Sequence, residues 1–169
     1  MPYSSALDAA AARAAISKGD DLELARYLRE GGSNPVTSAT AATGFLSGGG
    51  TSIMDRATGV ALTLPAARGS QERYHVIVKT TFSGGNGVIK VANSQDSMIG
   101  NVIMSTATLA AGVMQAPPAG SDTVTLNGGT TGGAAGTSIT FTDVAINTWL
   151  VDGVIVCVGA AATPFSNTV

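Results

Sequence analysis

Hydrophobic and polar positions alternate in short runs over most of this chain. The clearest run is Gly59 to Gly69, where Val60, Leu62 and Leu64 alternate with Ala61 and Thr63. Period two is the pattern of a strand with one buried face. Pro65 has no N–H to give to a ladder, so the strand is expected to stop there. Ala66 to Ser70 read as a short turn, with Gly69 free to take positive φ. Tyr74-His75-Val76-Ile77-Val78-Lys79, rich in aromatic and β-branched residues, reads as the return strand of a hairpin.

The same reading gives further strands at Phe45-Leu46, Ser52-Ile53-Met54, Val88-Ile89-Lys90-Val91 and Asn101-Val102-Ile103-Met104. Later candidates are Thr123-Val124-Thr125-Leu126, Ser138-Ile139-Thr140-Phe141-Thr142, Trp149-Leu150-Val151 and Val154 to Val158. Turn chemistry separates them. Ser83-Gly84-Gly85-Asn86-Gly87 tolerates left-handed backbone. Asn127-Gly128 is a preferred type I′ pair, and Asp152-Gly153 is a second two-residue hairpin signal. Ala110 to Gly120, with Pro117-Pro118, reads as a surface loop, and Phe165 as a docking residue of the tail. About eight or nine short strands at roughly 8–12 residue spacing, with no βαβ alternation, predict a mainly β fold. Its expected form is a jelly-roll-like antiparallel β-sandwich or barrel.

The pattern changes before residue 37. Residues 4–30 have helical composition, with Ser5/Asp8 and Asp20/Glu23 at capping-box spacing and Gly19 interrupting. Leu24, Tyr27 and Leu28 share one face, and Gly31-Gly32 forms a stop. A single ankyrin-like phrase around Gly19-Asp20 and Ala25-Arg26-Tyr27-Leu28 cannot bury its own face. Helices this short are marginal alone, so the segment must dock on something. Ser33 to Ala42, with Pro35, reads as a linker. The expected organisation is a helical arm and linker over residues 1–36 and a β domain over residues 37–169.

Only 12% of the 169 residues are charged and 22 are glycine, so the surface is polar yet nearly uncharged. Such a surface is compatible with packing against neighbouring subunits, and equally with a small-residue β protein rich in turns. A net charge of −2 without clustered Lys or Arg argues against nucleic acid. There is no apolar run of about 18 residues, and the start lacks a basic segment, so neither a membrane helix nor a signal peptide is expected. Cys157 is the single cysteine, which excludes an internal disulfide, and its apolar neighbours make it a core residue.

Candidate chemistry is sparse. His75 is the single histidine, inside a strand and out of phase with Val76 and Val78; a triad base is conceivable, but no Gly-x-Ser-x-Gly elbow accompanies it. A zinc site needs three or four ligands, and one His and one distant Cys do not supply them. Asp96, Asp122, Asp143 and Asp152 are the carboxylates a glycosidase pair or loop-bound calcium would draw on. They also fall near strand ends and turns, where Asp is favoured for backbone reasons. The glycine-rich loops lack the Lys-Ser/Thr and following helix of a phosphate cradle. Trp149, in a strand, reads as a core anchor rather than a sugar-stacking platform.

Thr58-Gly59-Val60-Ala61-Leu62-Thr63-Leu64-Pro65-Ala66-Ala67, followed by Tyr74-His75-Val76-Ile77-Val78, resembles a pattern common in tailed-bacteriophage virion proteins. Leu126-Asn127-Gly128-Gly129-Thr130-Thr131-Gly132-Gly133, Ile139-Thr140-Phe141-Thr142-Asp143, Thr148-Trp149-Leu150-Val151 and Ala162-Thr163-Pro164-Phe165-Ser166 are similar to its later strands. The resemblance spans roughly residues 37–166. Many proteins with this pattern are capsid decoration, or cement, proteins with jelly-roll-like folds that assemble as trimers. The resemblance therefore implies a structural virion protein on the capsid exterior, made in the host cytoplasm. It would bind the major capsid protein, without cofactor, small-molecule substrate, membrane or catalytic activity. The helical arm departs from the simplest members; Leu22, Leu24, Tyr27 and Leu28 are the expected partner-binding anchors on it. The alternative is a tail-fibre or receptor-binding module for host surface glycans, which would need exposed aromatic side chains.

Overall fold

The computed structural model describes residues 33–36, 43–45, 51–106 and 112–169. The expected arm, with Leu22, Leu24, Tyr27 and Leu28, lies outside the described residues. Among them the chain is mainly β, with twelve strands and no helix. They are β1 (Ser33–Val36), β2 (Thr43–Phe45), β3 (Thr51–Met54), β4 (Val60–Thr63), β5 (Arg73–Val78) and β6 (Gly87–Lys90). The second half holds β7 (Ser97–Thr106), β8 (Val113–Gln115), β9 (Thr123–Leu126), β10 (Ser138–Ala145), β11 (Thr148–Cys157) and β12 (Phe165–Ser166).

Two sheets result. The large sheet runs β1-β3-β5-β10-β11-β7-β8 and the small sheet β12-β9-β6-β4-β2. Each has two free edges, so no closed barrel forms among the described residues. Nor are the sheets purely antiparallel, as alternation alone led us to expect. β3 and β5, β7 and β11, β2 and β4, and β4 and β6 pair in parallel. The cause is the route of the chain. From β3 to β7 consecutive strands alternate between the sheets. Two crossings bring the chain back to a sheet in its original direction, so β3 and β5 lie parallel, as do β4 and β6. The opposite sheet's strand takes the place of the usual crossover helix.

The expected hairpin at Gly59 to Lys79 is therefore a crossover: β4 belongs to the small sheet and β5 to the large one. Asn127-Gly128 likewise opens a loop between sheets, closed by Gly128 N–H donating to the Gly132 carbonyl at 2.6 Å. Asp152-Gly153 is no turn at all. It lies inside β11, which joins the two runs expected at residues 149–151 and 154–158 into one ten-residue strand. Gly153 takes φ +148°, and a Cβ there would meet the Ser138 carbonyl of β10. The glycine serves close strand approach rather than reversal. Consecutive strands pair antiparallel at β10 and β11, joined through Ala145 to Asn147 with Asn147 at φ 60°, and at β7 and β8. Two segments expected as linker and loop contain β1 and β8.

Inner positions of both sheets enclose one core. Val60, Leu62 and Leu64 pack with Tyr74, Val76, Val78, Ile89, Met98, Val102, Val124, Leu126, Ile139, Phe141, Trp149 and Ile155. Trp149 is 1% exposed and meets Tyr74 edge-on, with ring centroids 5.5 Å apart. That geometry is worth about 0.5–1.5 kcal/mol beyond burial. Phe165 of β12 closes the core beside β9, as its place in the tail suggested.

Candidate functional site

Of the four carboxylates weighed from the sequence, Asp96, Asp122 and Asp143 are structural fasteners, and Asp152 stands exposed on the large sheet. Asp143, at the end of β10, points its carboxylate at the loop that leaves β4. Arg68 N–H donates to both oxygens at 3.0 Å, Gly69 N–H to Oδ1 at 2.6 Å, and Ser70 N–H and Oγ–H to Oδ2 at 3.0 and 2.7 Å. Gly69, at φ +77°, lets three successive amides converge on one anion. Burial works to raise the Asp143 pKa, but these donors outweigh it and hold the carboxyl below its usual range.

Asp122 does the same for the tail. Its carboxylate accepts from Thr168 N–H at 2.8 Å, Val169 N–H at 3.1 Å and the Thr123 hydroxyl at 2.7 Å. Burial again opposes, and the donors again win, so this pKa is also lowered. Asp96 accepts from Ala67 N–H at 3.0 Å and from Asn93 Nδ2 at 3.1 Å, fixing the other side of the Ala67 to Ser70 loop. Asp143 and Asp122 thus spend both oxygens on the chain's own donors, one at the Ala67 to Ser70 loop and one at the tail. Asp96 braces that loop through Oδ2 alone, and its buried Oδ1 has no partner among the described residues. No group of three His, Cys, Asp or Glu able to hold a metal occurs among the described residues.

His75 stands half-buried on the outer face of the large sheet. Its Nε2 lies 2.8 Å from Ser138 Oγ and its Nδ1 3.4 Å from Thr51 Oγ1. Thr140 of β10 sits between it and Asp152 of β11 in the register, so that acid is two strands away, about 10 Å at ordinary strand spacing. A serine and an imidazole meet, without an acid to orient them. Cys157 is buried with Sγ 3.6 Å from the Thr130 carbonyl, and burial pushes its thiol pKa up, the opposite of an activated nucleophile. Ser83 to Gly87 and Gly128 to Gly136 lead into strands, not helices.

What remains is a surface. The outer face of the large sheet carries a row that crosses six strands. Ile53 is opposite Ile77, Ile77 opposite Ser138, Ser138 opposite Val154, Val154 opposite Ile103, and Ile103 opposite Met114. Ile103 is 47% exposed, Val154 44% and Met114 67%. A parallel row holds Leu150 beside the exposed Ile99. Thr51, His75, Thr140, Asp152 and Asn101 fill the row between. Arg73 and Asp152 are the face's Arg, Lys, Asp or Glu residues among the described strand positions.

Sequence reasoning missed this face, though a signal was present. Val102-Ile103-Met104 and Val154 to Val158 are apolar in both phases, the mark of strands with two covered faces. Comparison of the chain with protein-family models, with curated proteins and with solved structures finds no match in any of the three.

Proposed function

We propose that this chain is a structural virion protein, a capsid decoration or cement protein of a tailed bacteriophage. It binds the outside of the capsid and stabilises it by bridging capsomers. The two-sheet body stands for the jelly-roll-like domain that the resemblance implies, with mixed rather than antiparallel pairing. Its partners are the major capsid protein and further copies of itself, as a homotrimer. The reading gives it no reaction of its own.

The observation that supports the reading is where the residues of the resemblance go. Leu62, Leu64 and Ala67 of the early motif and Ile139, Phe141 and Asp143 of the later one are all buried. The two motifs meet where the amides after Ala67 clasp the Asp143 carboxylate. The shared pattern therefore describes a braced frame, not a reactive centre. A cement protein needs such a frame. It adds area across seams between subunits, each contact contributes a few kcal/mol after association costs, and multiple copies raise effective concentration. A glycan-binding module would draw on exposed aromatics, whereas Trp149 is interior.

Leu22, Leu24, Tyr27 and Leu28 remain the proposed anchors on the shell. The test is a pelleting assay on purified shells with the full chain and with a variant lacking residues 1–32. The full chain is expected to co-sediment and the truncated one to stay folded in the supernatant. Equal occupancy by both would remove the arm from the mechanism, and no sedimentation of the full chain would remove the shell as partner.

A further inference from the structure

We propose that the open face of the large sheet is an interface between copies of this chain. Three observations carry it. First, β3 with β5, and β11 with β7, are parallel pairs inside this sheet. Parallel strands are normally covered on both faces, and a face left to water usually shows polar outer positions. Here the outer positions include Ile53, Ile77, Val154, Ile103 and Met114, and no described element lies over them.

Second, the size fits. Six strands at about 4.8 Å spacing and a depth of about 20 Å give each copy on the order of 600 Å². Two such faces bury roughly 1,200 Å², which meets the lower bound of specific protein interfaces. Third, the charge fits a like partner. Arg73 and Asp152 cancel within the face, so a second copy meets neither a field of its own sign nor a crowd of charges to desolvate. A face this neutral has no preference for a strongly charged partner, and it matches itself in chemistry. The inference concerns the isolated protein and does not require the shell reading. The resemblance speaks of trimers; the face argument needs only a second copy.

The experiment is light scattering on the size-exclusion eluate, on the full chain and on Ile103→Asp/Val154→Asp. The wild-type chain is expected at a multiple of 16.7 kDa. Two carboxylates pressed into an apolar seam cost far more than the seam supplies, so the double variant is expected at the single-chain mass even at about 100 µM. Lys90→Glu, on the small sheet, should keep the wild-type mass.

Peroxide oxidation of Met114 in the unaltered protein guards against a folding defect in the variant. The reaction should slow as protein concentration rises through the association range. A monomeric wild-type chain at about 100 µM, a double variant that stays oligomeric, or Met114 oxidation independent of concentration would each overturn the proposal. A monomeric chain would also remove the homotrimer from the proposed function, while shell binding is read separately by co-sedimentation.

Discussion

Asp143 shows at the level of one residue what holds this protein together. Replacing it with Asn keeps the shape but turns an amide N–H₂ toward a cluster of N–H donors and removes the charge they bind. Asp143→Asn should cost about 2–3 kcal/mol, read as a lower midpoint in urea at unchanged slope. The sign of the pH dependence follows. A carboxyl whose folded pKa is depressed contributes stability above its unfolded value of about 3.9, lost as pH falls through the lower folded value. Asp122 and Asp143 both behave this way. Melting temperature is therefore expected to be flat from neutral pH down to about 5 and to fall steeply below about 4. The acid limb should be shallower in Asp143→Asn. Tyr74 is the alkaline counterpart: burial and the Glu72 carboxylate, 2.7 Å away, keep its hydroxyl protonated far above a free tyrosine. Gly153 is the second residue where one atom decides. Gly153→Ala places a methyl against the Ser138 carbonyl at a φ that side chains avoid, and should destabilise by about 2–3 kcal/mol in the same urea titration.

Strands were easier to place than to connect. Val60 to Leu64, Tyr74 to Val78, Thr123 to Leu126 and Ser138 to Thr142 all show their inner face as plain alternation, and each is a strand of the body. Phe165 and Trp149 were legible because a lone large apolar residue beside a strand pattern has few places to go but inward. Connectivity failed for a physical reason. Asn127-Gly128, Asp152-Gly153 and Ala66 to Ser70 were read as local reversals, yet a glycine with positive φ serves equally for a tight turn, a close strand contact or an anion-binding loop. The partners that decide between these uses lie up to 75 residues away, as Arg68 does from Asp143. The outer apolar row is hidden in the sequence because it shares strands with a buried row, so both phases are apolar and the alternation fades. Two measurements test the elements themselves. Trp149 is the single tryptophan, so native emission should be blue-shifted and move red in one step on unfolding. Phe165→Ala should cost about 3 kcal/mol by emptying the end of the core, with a midpoint lowered to match.

Across the molecule, the described residues form a braced two-sheet body in which the Asp122 and Asp143 carboxylates, the imidazole and the thiol meet the chain's own groups, and the large sheet leaves a nearly uncharged, partly apolar face open. That inventory suits a protein that works by contact. In the proposed function the labour is divided: residues 1–32 are assigned to gripping the shell and the two-sheet body to gathering copies. Counting this chain by mass spectrometry in purified virions tests the central claim most directly. The account predicts a copy number of the same order as the major capsid protein. A copy number matching the tail, or absence from the particle, would contradict it.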